Sequence, residues 1–305
     1  MKKVLPVLSL ILLLFAACKK SDNSEAEPKE EDKPKYDVSF TVADFAQTVG
    51  TLSTGNSKAT TAVGDTLKNY VNYLYYRIYN SAGVLVNSVD QEGSLSTFGT
   101  ITDKLPSGAY NVLFTAGKYN LFIPGAQTIF SNASFGPTYG TPWNDTFVKH
   151  VQLTVGSTAI AQSVRLDRVI GGLEVVLQDA IPSNVAKVSV VFQSDVDYIY
   201  STGTGTFSSK PITRDFSIAA SDIGQKNKKF LSYIGNTVSA SSVIIRAYDS
   251  ANGLLAEKTV SNVRCYKNQK TTLTGTLFPA TSSASLGFTV TVNPTWGASG
   301  GTINF

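Results

Sequence analysis

The sequence predicts an all-β protein: two consecutive β-sandwich domains behind a cleavable leader and a flexible tether. Three observations predict it. Apolar residues recur at period two in short runs rich in Val, Ile, Tyr, Phe and Thr, the pattern of half-buried strands. Clusters of Gly, Asn, Ser and Pro separate the runs, and no long amphipathic helix stands out. About 270 residues follow the tether, enough for two domains of ordinary size.

The leader comes first. Lys2 and Lys3 carry positive charge, and Val4 to Ala17 is apolar apart from Ser9. A membrane-crossing helix needs roughly 20 residues, so this shorter stretch reads as part of a signal peptide spanning residues 1–17. It ends in Leu14-Phe15-Ala16-Ala17-Cys18, small residues suited to cleavage with a cysteine directly after them. That ending resembles a bacterial lipobox. The resemblance implies a diacylated Cys18 sulfur (palmitate is typical), cleavage before Cys18 and acylation of the new amino group. Two or more acyl chains anchor a protein stably, where one does so only marginally. Residues 19–35, KKSDNSEAEPKEEDKPK, mix six acidic side chains with five lysines and two prolines. Such a composition buries too little surface to offset chain entropy. Residues 18–35 are therefore read as a lipidated cysteine and tether, about 60 Å long when extended and roughly 20–25 Å on average.

The strands follow in order. Val38, Phe40 and Val42 alternate with Ser39, Thr41 and Ala43, and Leu74, Tyr76 and Ile78 alternate with Tyr73, Tyr75, Arg77 and Tyr79, whose tyrosines read as an outward set. Tyr110, Val112 and Phe114 repeat the pattern, then Leu173, Val175 and Leu177, then Val188, Val190 and Phe192. Val243 and Ile245 precede a last run, Phe288, Val290 and Val292. Thr66 to Leu74 reads as a short helical turn. Residues 77–85, RIYNSAGVL, match residues 246–255, RAYDSANGLL, each an alternating strand, a polar turn ending in Gly and a second apolar strand. Asn252-Gly253 is a strong hairpin signal because both residues tolerate positive φ. The match fits either duplication or common hairpin chemistry. A boundary near Gly156-Ser157 gives domains at 36–157 and 158–305.

Composition excludes some functions. Without residues 1–17 the chain has 24 basic and 22 acidic side chains, a net charge of +2. That balance gives no reason to expect nucleic acid as a partner. Cys265 is the only cysteine besides Cys18, so a lipidated Cys18 leaves no intramolecular disulfide; Val263-Arg264-Cys265-Tyr266 reads as a strand with a buried thiol. His150 is the only histidine and lies in the alternating run Phe147 to Val155, which leaves Ser-His-Asp chemistry and His-rich zinc sites without support. Asp195 and Asp197 are a carboxylate pair that lacks the further acids a Ca²⁺ site needs. No enzyme activity, metal or cofactor is expected.

Several motifs together carry a resemblance. Leu105-Pro106-Ser107-Gly108-Ala109-Tyr110 resembles the turn and strand of transthyretin-like N-terminal domains. Arg165-Leu166-Asp167-Arg168-Val169 with Gly172-Leu173-Glu174-Val175 resembles the opening of a second domain, and Asn268 to Phe278 a late strand of it. With the lipobox, this is similar to the fimbrillin superfamily of pilins, tip and anchor subunits of type V pili and related surface lipoproteins. The resemblance implies two transthyretin/immunoglobulin-like sandwiches on an outer-membrane lipoprotein at the cell surface, with fimbrial subunits as partners. It also implies assembly by β-strand addition, in which trimming after a basic residue removes an N-terminal strand and a neighbour's strand fills the groove. Val38, Phe40 and Val42 would belong to the removable strand. The loop Gly50 to Gly64 after it has Lys58 as its only basic residue, and the first arginine of the chain is Arg77, inside a predicted strand. This departure favours an untrimmed, lipid-retaining anchor or accessory subunit. The segment 286–305, with Phe288, Val290 and Val292, reads either as an exchangeable strand or as the last strand of the second domain, the latter better supported.

A rival function is carbohydrate binding in a glycan-uptake system. The thirty residues between Ala116 and Phe147 hold Tyr119, Phe122, Phe130, Phe135, Tyr139 and Trp143. Loops this long are often functional, and Tyr139 and Trp143 are the candidate stacking platform for surface glycans. The bland alternative is that these rings cap the end of a sandwich.

Overall fold

Strand-forming runs separated by turn residues fold into a protein built of β-strands and three single 3-10 turns among the described residues. The structure is a computed structural model that describes residues 33–45, 67–124, 127–138, 141–193, 195–207, 211–235, 237–278 and 287–293. Cys18, the tether up to residue 32, the loop carrying Lys58, Tyr139 and the chain beyond residue 293 lie outside the described residues.

The strands of the first half are β1 (Lys35–Phe45), β2 (Tyr73–Asn80), β3 (Leu85–Glu92), β4 (Thr100–Pro106), β5 (Gly108–Gly117), β6 (Leu121–Phe122), β7 (Ser134–Pro137), β8 (Thr146–Val155) and β9 (Ile160–Arg168). Those of the second are β10 (Gly171–Leu177), β11 (Lys187–Phe192), β12 (Asp195–Ile199), β13 (Thr204–Phe207), β14 (Ile212–Ser217), β15 (Lys228–Ile234), β16 (Ser241–Tyr248), β17 (Leu254–Val263), β18 (Lys270–Gly275) and β19 (Phe288–Asn293). The turn expected at Thr66 to Leu74 is a 3-10 turn at Leu67–Asn69, and strand begins at Tyr73.

A seven-stranded sheet runs β3-β2-β5-β8-β9-β1-β4. Its two parts meet where β8 and β9 share only two residue pairs, Phe147 with Arg168 and Val148 with Asp167. The sheet bends there and wraps its apolar face around one core, nearly closing into a barrel. Val38, Phe40 and Val42 meet Leu74, Tyr76, Ile78, Val112 and Phe114 in that core. In the second half β15-β10-β18-β19 and β14-β11-β16-β17 are separate sheets, with Leu173, Val175, Val188, Val190, Phe192, Val243 and Ile245 buried together. The inward positions read from period two lie in or against a core, with Phe288 and Val290 at the rim of the second, except Val292, which is in neither.

The strand orders repeat. Numbering the core strands of each half in chain order, both halves contain third-second-fifth-sixth and fourth-first-seventh, and the second half adds β19 as an eighth strand beside the seventh. The matched hairpins fall on non-equivalent strands of this order: β2 and β3 are second and third, β16 and β17 fifth and sixth. Their likeness therefore reflects shared hairpin chemistry. The Val84 N–H donates to Asn80 Oδ1 at 2.9 Å, and the Gly253 N–H donates to Asp249 Oδ1 at 2.7 Å. Each hairpin also slips register at the same place, Ile78/Tyr79 and Ala247/Tyr248.

Two expectations are corrected. The boundary at 157/158 separates β8 from β9, yet β9 pairs with β1 over seven residues and buries Val164 and Leu166 in the first core. Two discrete sandwiches are also not the whole of the architecture. A fourth sheet, β13-β12-β7-β6, takes two strands from each half and packs on the face of β2 that bears Tyr75 and Tyr79. That face was expected to be outward. Tyr75, Tyr79, Leu113, Phe135, Trp143, Tyr198 and Tyr200 instead form a third, aromatic core.

Candidate functional site: the first strand and the joint between the halves

β1 is an interior strand. Seven of its residues pair antiparallel with β4, from Lys35 with Pro106 to Thr41 with Thr100. Seven pair in parallel with β9, from Val38 with Ile160 to Phe45 with Leu166. The Phe40 ring is fully buried, edge-on to Phe114 at 5.2 Å and tilted against Tyr76 at 5.9 Å. An interior strand has both ladder sides satisfied and one face in the core, so its removal would open a groove with backbone donors on both walls. β19 is an edge strand, paired with β18 alone over six residues from Lys270 with Asn293 to Gly275 with Phe288. Phe288, Val290 and Val292 therefore lie in the chain's own second-half sheet.

The motif Leu105 to Tyr110 acquires a physical reason. The chain passes from β4 to β5 across Ser107, and the buried Tyr110 hydroxyl donates to the Pro106 carbonyl at 2.9 Å, tying the corner down. Ser107 Oγ donates to the Gly156 carbonyl at 2.8 Å and joins this corner to the turn before β9.

The joint centres on Arg168, whose side chain is 0 % exposed. Its Nε donates to Asp145 Oδ1 at 2.6 Å, Nη2 to Asp145 Oδ2 at 2.8 Å and Nη1 to Asn268 Oδ1 at 3.0 Å. The guanidinium lies 5.0 Å from the Phe147 ring centroid. A fork of this shape satisfies a carboxylate through two parallel bonds. Asp145 precedes β8, Arg168 ends β9 and Asn268 precedes β18, so one side chain ties the first half to the second. Asn268 holds φ at 56°, a left-handed conformation that asparagine tolerates better than most residues, and its N–H donates to the Ile170 carbonyl at 2.9 Å. Sequence reasoning named Arg168 only as part of a motif. The missed signal was parity: Arg168 shares the face of Val164 and Leu166, both buried.

Trp143 completes the joint rather than a ligand platform. It is 3 % exposed, edge-on to Phe135 at 5.8 Å, and bridged through its backbone to Tyr233. A Cβ at Gly235 would collide with its indole, so this approach depends on glycine. A buried ring offers no face to a sugar, which removes Trp143 from the stacking site expected of it. The open aromatics of this loop are Tyr119, 67 % exposed, and Phe122, 52 % exposed.

The remaining candidates are inert where described. His150 Nε2 pairs with Asn111 Oδ1 at 2.9 Å, Phe130 stacks on its ring at 5.2 Å, and burial lowers its pKa. Asp195 and Asp197 lie on β12, and their side chains are outside the described set. Among the described residues no group of three or more His, Cys, Asp or Glu is placed to hold a metal, and no helix is long and apolar enough to cross a membrane. Cys265 is 4 % exposed, and burial pushes its thiol up to about 12, against a smaller lowering by the Thr271 hydrogen bond. The thiolate is the reactive form, so Cys265 is expected to resist a maleimide at pH 8 in the native protein and to react in full after denaturation. Mass spectrometry of the labelled chain reads both.

This architecture defines a class: all-β proteins of several sheets, one of them nearly closed into a barrel. Among solved structures, a candidate adhesin from Bacteroides thetaiotaomicron superposes with a TM-score of 0.52 at 11 % identity, over 87 % of this chain and 97 % of that one. A fimbrial anchor protein from Porphyromonas gingivalis gives 0.51 at 11 % identity, over 85 % and 97 %. A candidate cell adhesion protein from Bacteroides eggerthii gives 0.51 at 10 % identity, over 87 % and 97 %. At these identities the likeness is one of fold. No curated protein matches the sequence. Residues 133–300 match the model of a family of unknown function, DUF6562, and the chain belongs to that family.

Proposed function

We propose that this protein is a lipid-anchored surface protein with an adhesive or structural role, an anchor or accessory subunit that meets its neighbours by β-strand addition. The observation that carries this reading is the fold it shares with a fimbrial anchor protein along 85 % of the chain, taken with the leader that ends at Cys18. The resemblance to the fimbrillin superfamily supports fimbrial subunits as the partners and the outer membrane as the site of the anchor. Residues 46–72 contain no arginine, and Arg77 is held inside β2, paired with Asp90 at 2.5 Å. This arrangement supports a mature chain that keeps β1 and its lipid. The repeated strand order supports two domains of sandwich type joined by the shared fourth sheet, with the chain passing between them at Val169-Ile170.

Metabolic labelling with an alkyne fatty acid tests the anchor. Wild-type protein is expected to take the label, fractionate with outer membranes and be degraded by protease added to intact cells. Cys18→Ala is expected to lose the label and the membrane association. Labelled Cys18→Ala protein, or a mature chain that starts after Lys58 and so lacks β1, would overturn the reading.

A further inference from the structure

We infer that β1 and β9 form a shear clamp that carries tension from the tether into the rest of the protein, and that β10 and β18 repeat it in series. This inference rests on the anchor reading for its biological setting and on topology alone for its mechanics. A pull on the tether enters β1 at Lys35. The chain leaves the first half at the far end of β9, where Arg168 is followed after two residues by β10. β1 and β9 are parallel and adjacent, with Val38 beside Ile160 and Phe45 beside Leu166. Tension therefore draws β1 toward its N-terminus and β9 toward its C-terminus. The two strands slide past each other, and the seven paired residues resist together. A ladder pulled from one end opens one pair at a time and yields at lower force. The antiparallel ladder of β1 with β4 must slide at the same moment.

The second half has the same geometry. Load enters β10 at Gly171, and the parallel neighbour β18 ends at Gly275, with Gly172 beside Lys270 and Leu177 beside Gly275. β19 differs. It runs antiparallel to β18 and ends at Asn293, opposite Lys270, at the end of the sheet where the load enters. A pull on the C-terminus unzips β19 from that end, and β19 has no second neighbour to hold it. Between the clamps sit the fully buried Arg168 with its bonds to Asp145 and Asn268, and the buried Val169 and Ile170. The fold is thus polarised: its N-terminal strand is built to hold and its C-terminal strand to yield.

Force spectroscopy on the unacylated chain from residue 18 to 305 tests this, since forced unfolding reports the barrier along the pulled direction. One handle is attached through the Cys18 thiol and the other at the C-terminus. Release of β19 is expected first and at low force, followed by high-force events in which the two halves open. A second protein, Ser157→Cys, is pulled between residues 18 and 157. Ser157 is exposed and sits just before β9, so this geometry peels the β1–β9 ladder from its open end. The force that releases β1 is expected to fall severalfold. Equal release forces in the two geometries, or β1 leaving before β19, would overturn the clamp. The chain carries no lipid in this experiment, so a failure of the anchor reading shows in the fatty-acid labelling and a failure of the clamp shows here.

Discussion

Replacing Arg168 by alanine is expected to destabilise the protein by about 3–5 kcal/mol, the range for breaking a buried ion pair by removing one partner. The physical reason lies in what remains. Asp145 keeps a carboxylate that is only 14 % exposed and loses both of its guanidinium bonds. Asn268 loses the donor to its side chain while its backbone stays in the left-handed region. Phe147 loses the cation over its ring. Arg168→Met with Asp145→Leu is expected to cost less than Arg168→Ala alone, because two apolar side chains of similar size leave neither charge unpaired. Urea unfolding followed by tyrosine and tryptophan fluorescence measures both. A loss under 1 kcal/mol for Arg168→Ala would mean that water reaches Asp145 and replaces the pair.

Phe40→Ala is expected to cost about 3–5 kcal/mol, the range for emptying a buried aromatic site. Phe40 sits on an interior strand flanked by β4 and β9, with Tyr76 and Phe114 packed on its ring. Neither flanking strand can move in to fill the space without breaking a ladder. The substitution also weakens the packing of β1 at its centre, so limited proteolysis of the variant is expected to add cuts within residues 35–45 that the wild-type protein resists. Ser39→Ala, on the opposite face of the same strand and part-buried through a 3.4 Å bond to the Ile160 carbonyl, is expected to cost far less. Equal losses for the two would show that the strand is held by its backbone alone.

The resemblance to fimbrial lipoproteins rested on short motifs, and the structure gives some of them a cause. Tyr110 closes a corner on Pro106, and Arg168 locks the joint. The aromatic loop was harder to read. Tyr119, Phe122 and Trp143 have the same composition signal, yet two face solvent and one is buried. Rings in an irregular segment show no periodicity, so nothing local separates a core ring from a surface ring. The two matching hairpins fitted both duplication and shared hairpin chemistry, for a different reason. Turn chemistry is local and recurs wherever an Asn or Asp side chain caps a tight reversal, so it marks a hairpin without marking its place in a sheet.

The sequence by itself determined the alternating strands at Val38 to Val42, Leu74 to Ile78, Tyr110 to Phe114, Leu173 to Leu177, Val188 to Phe192 and Val243 to Ile245 and one core-facing side of each, because alternation is a local property set by the two-residue repeat of the chain. It placed Val38, Phe40 and Val42 inward before any neighbour was known. Tertiary structure alone decided which strands lie side by side. The parallel pairing of β1 with β9, the fourth sheet that buries Tyr75 and Tyr79, and the meeting of Arg168 with Asp145 and Asn268 join residues far apart in the chain. Such contacts depend on how a sheet bends and on which face is left for another layer to cover, and periodicity within a single strand contains no record of either.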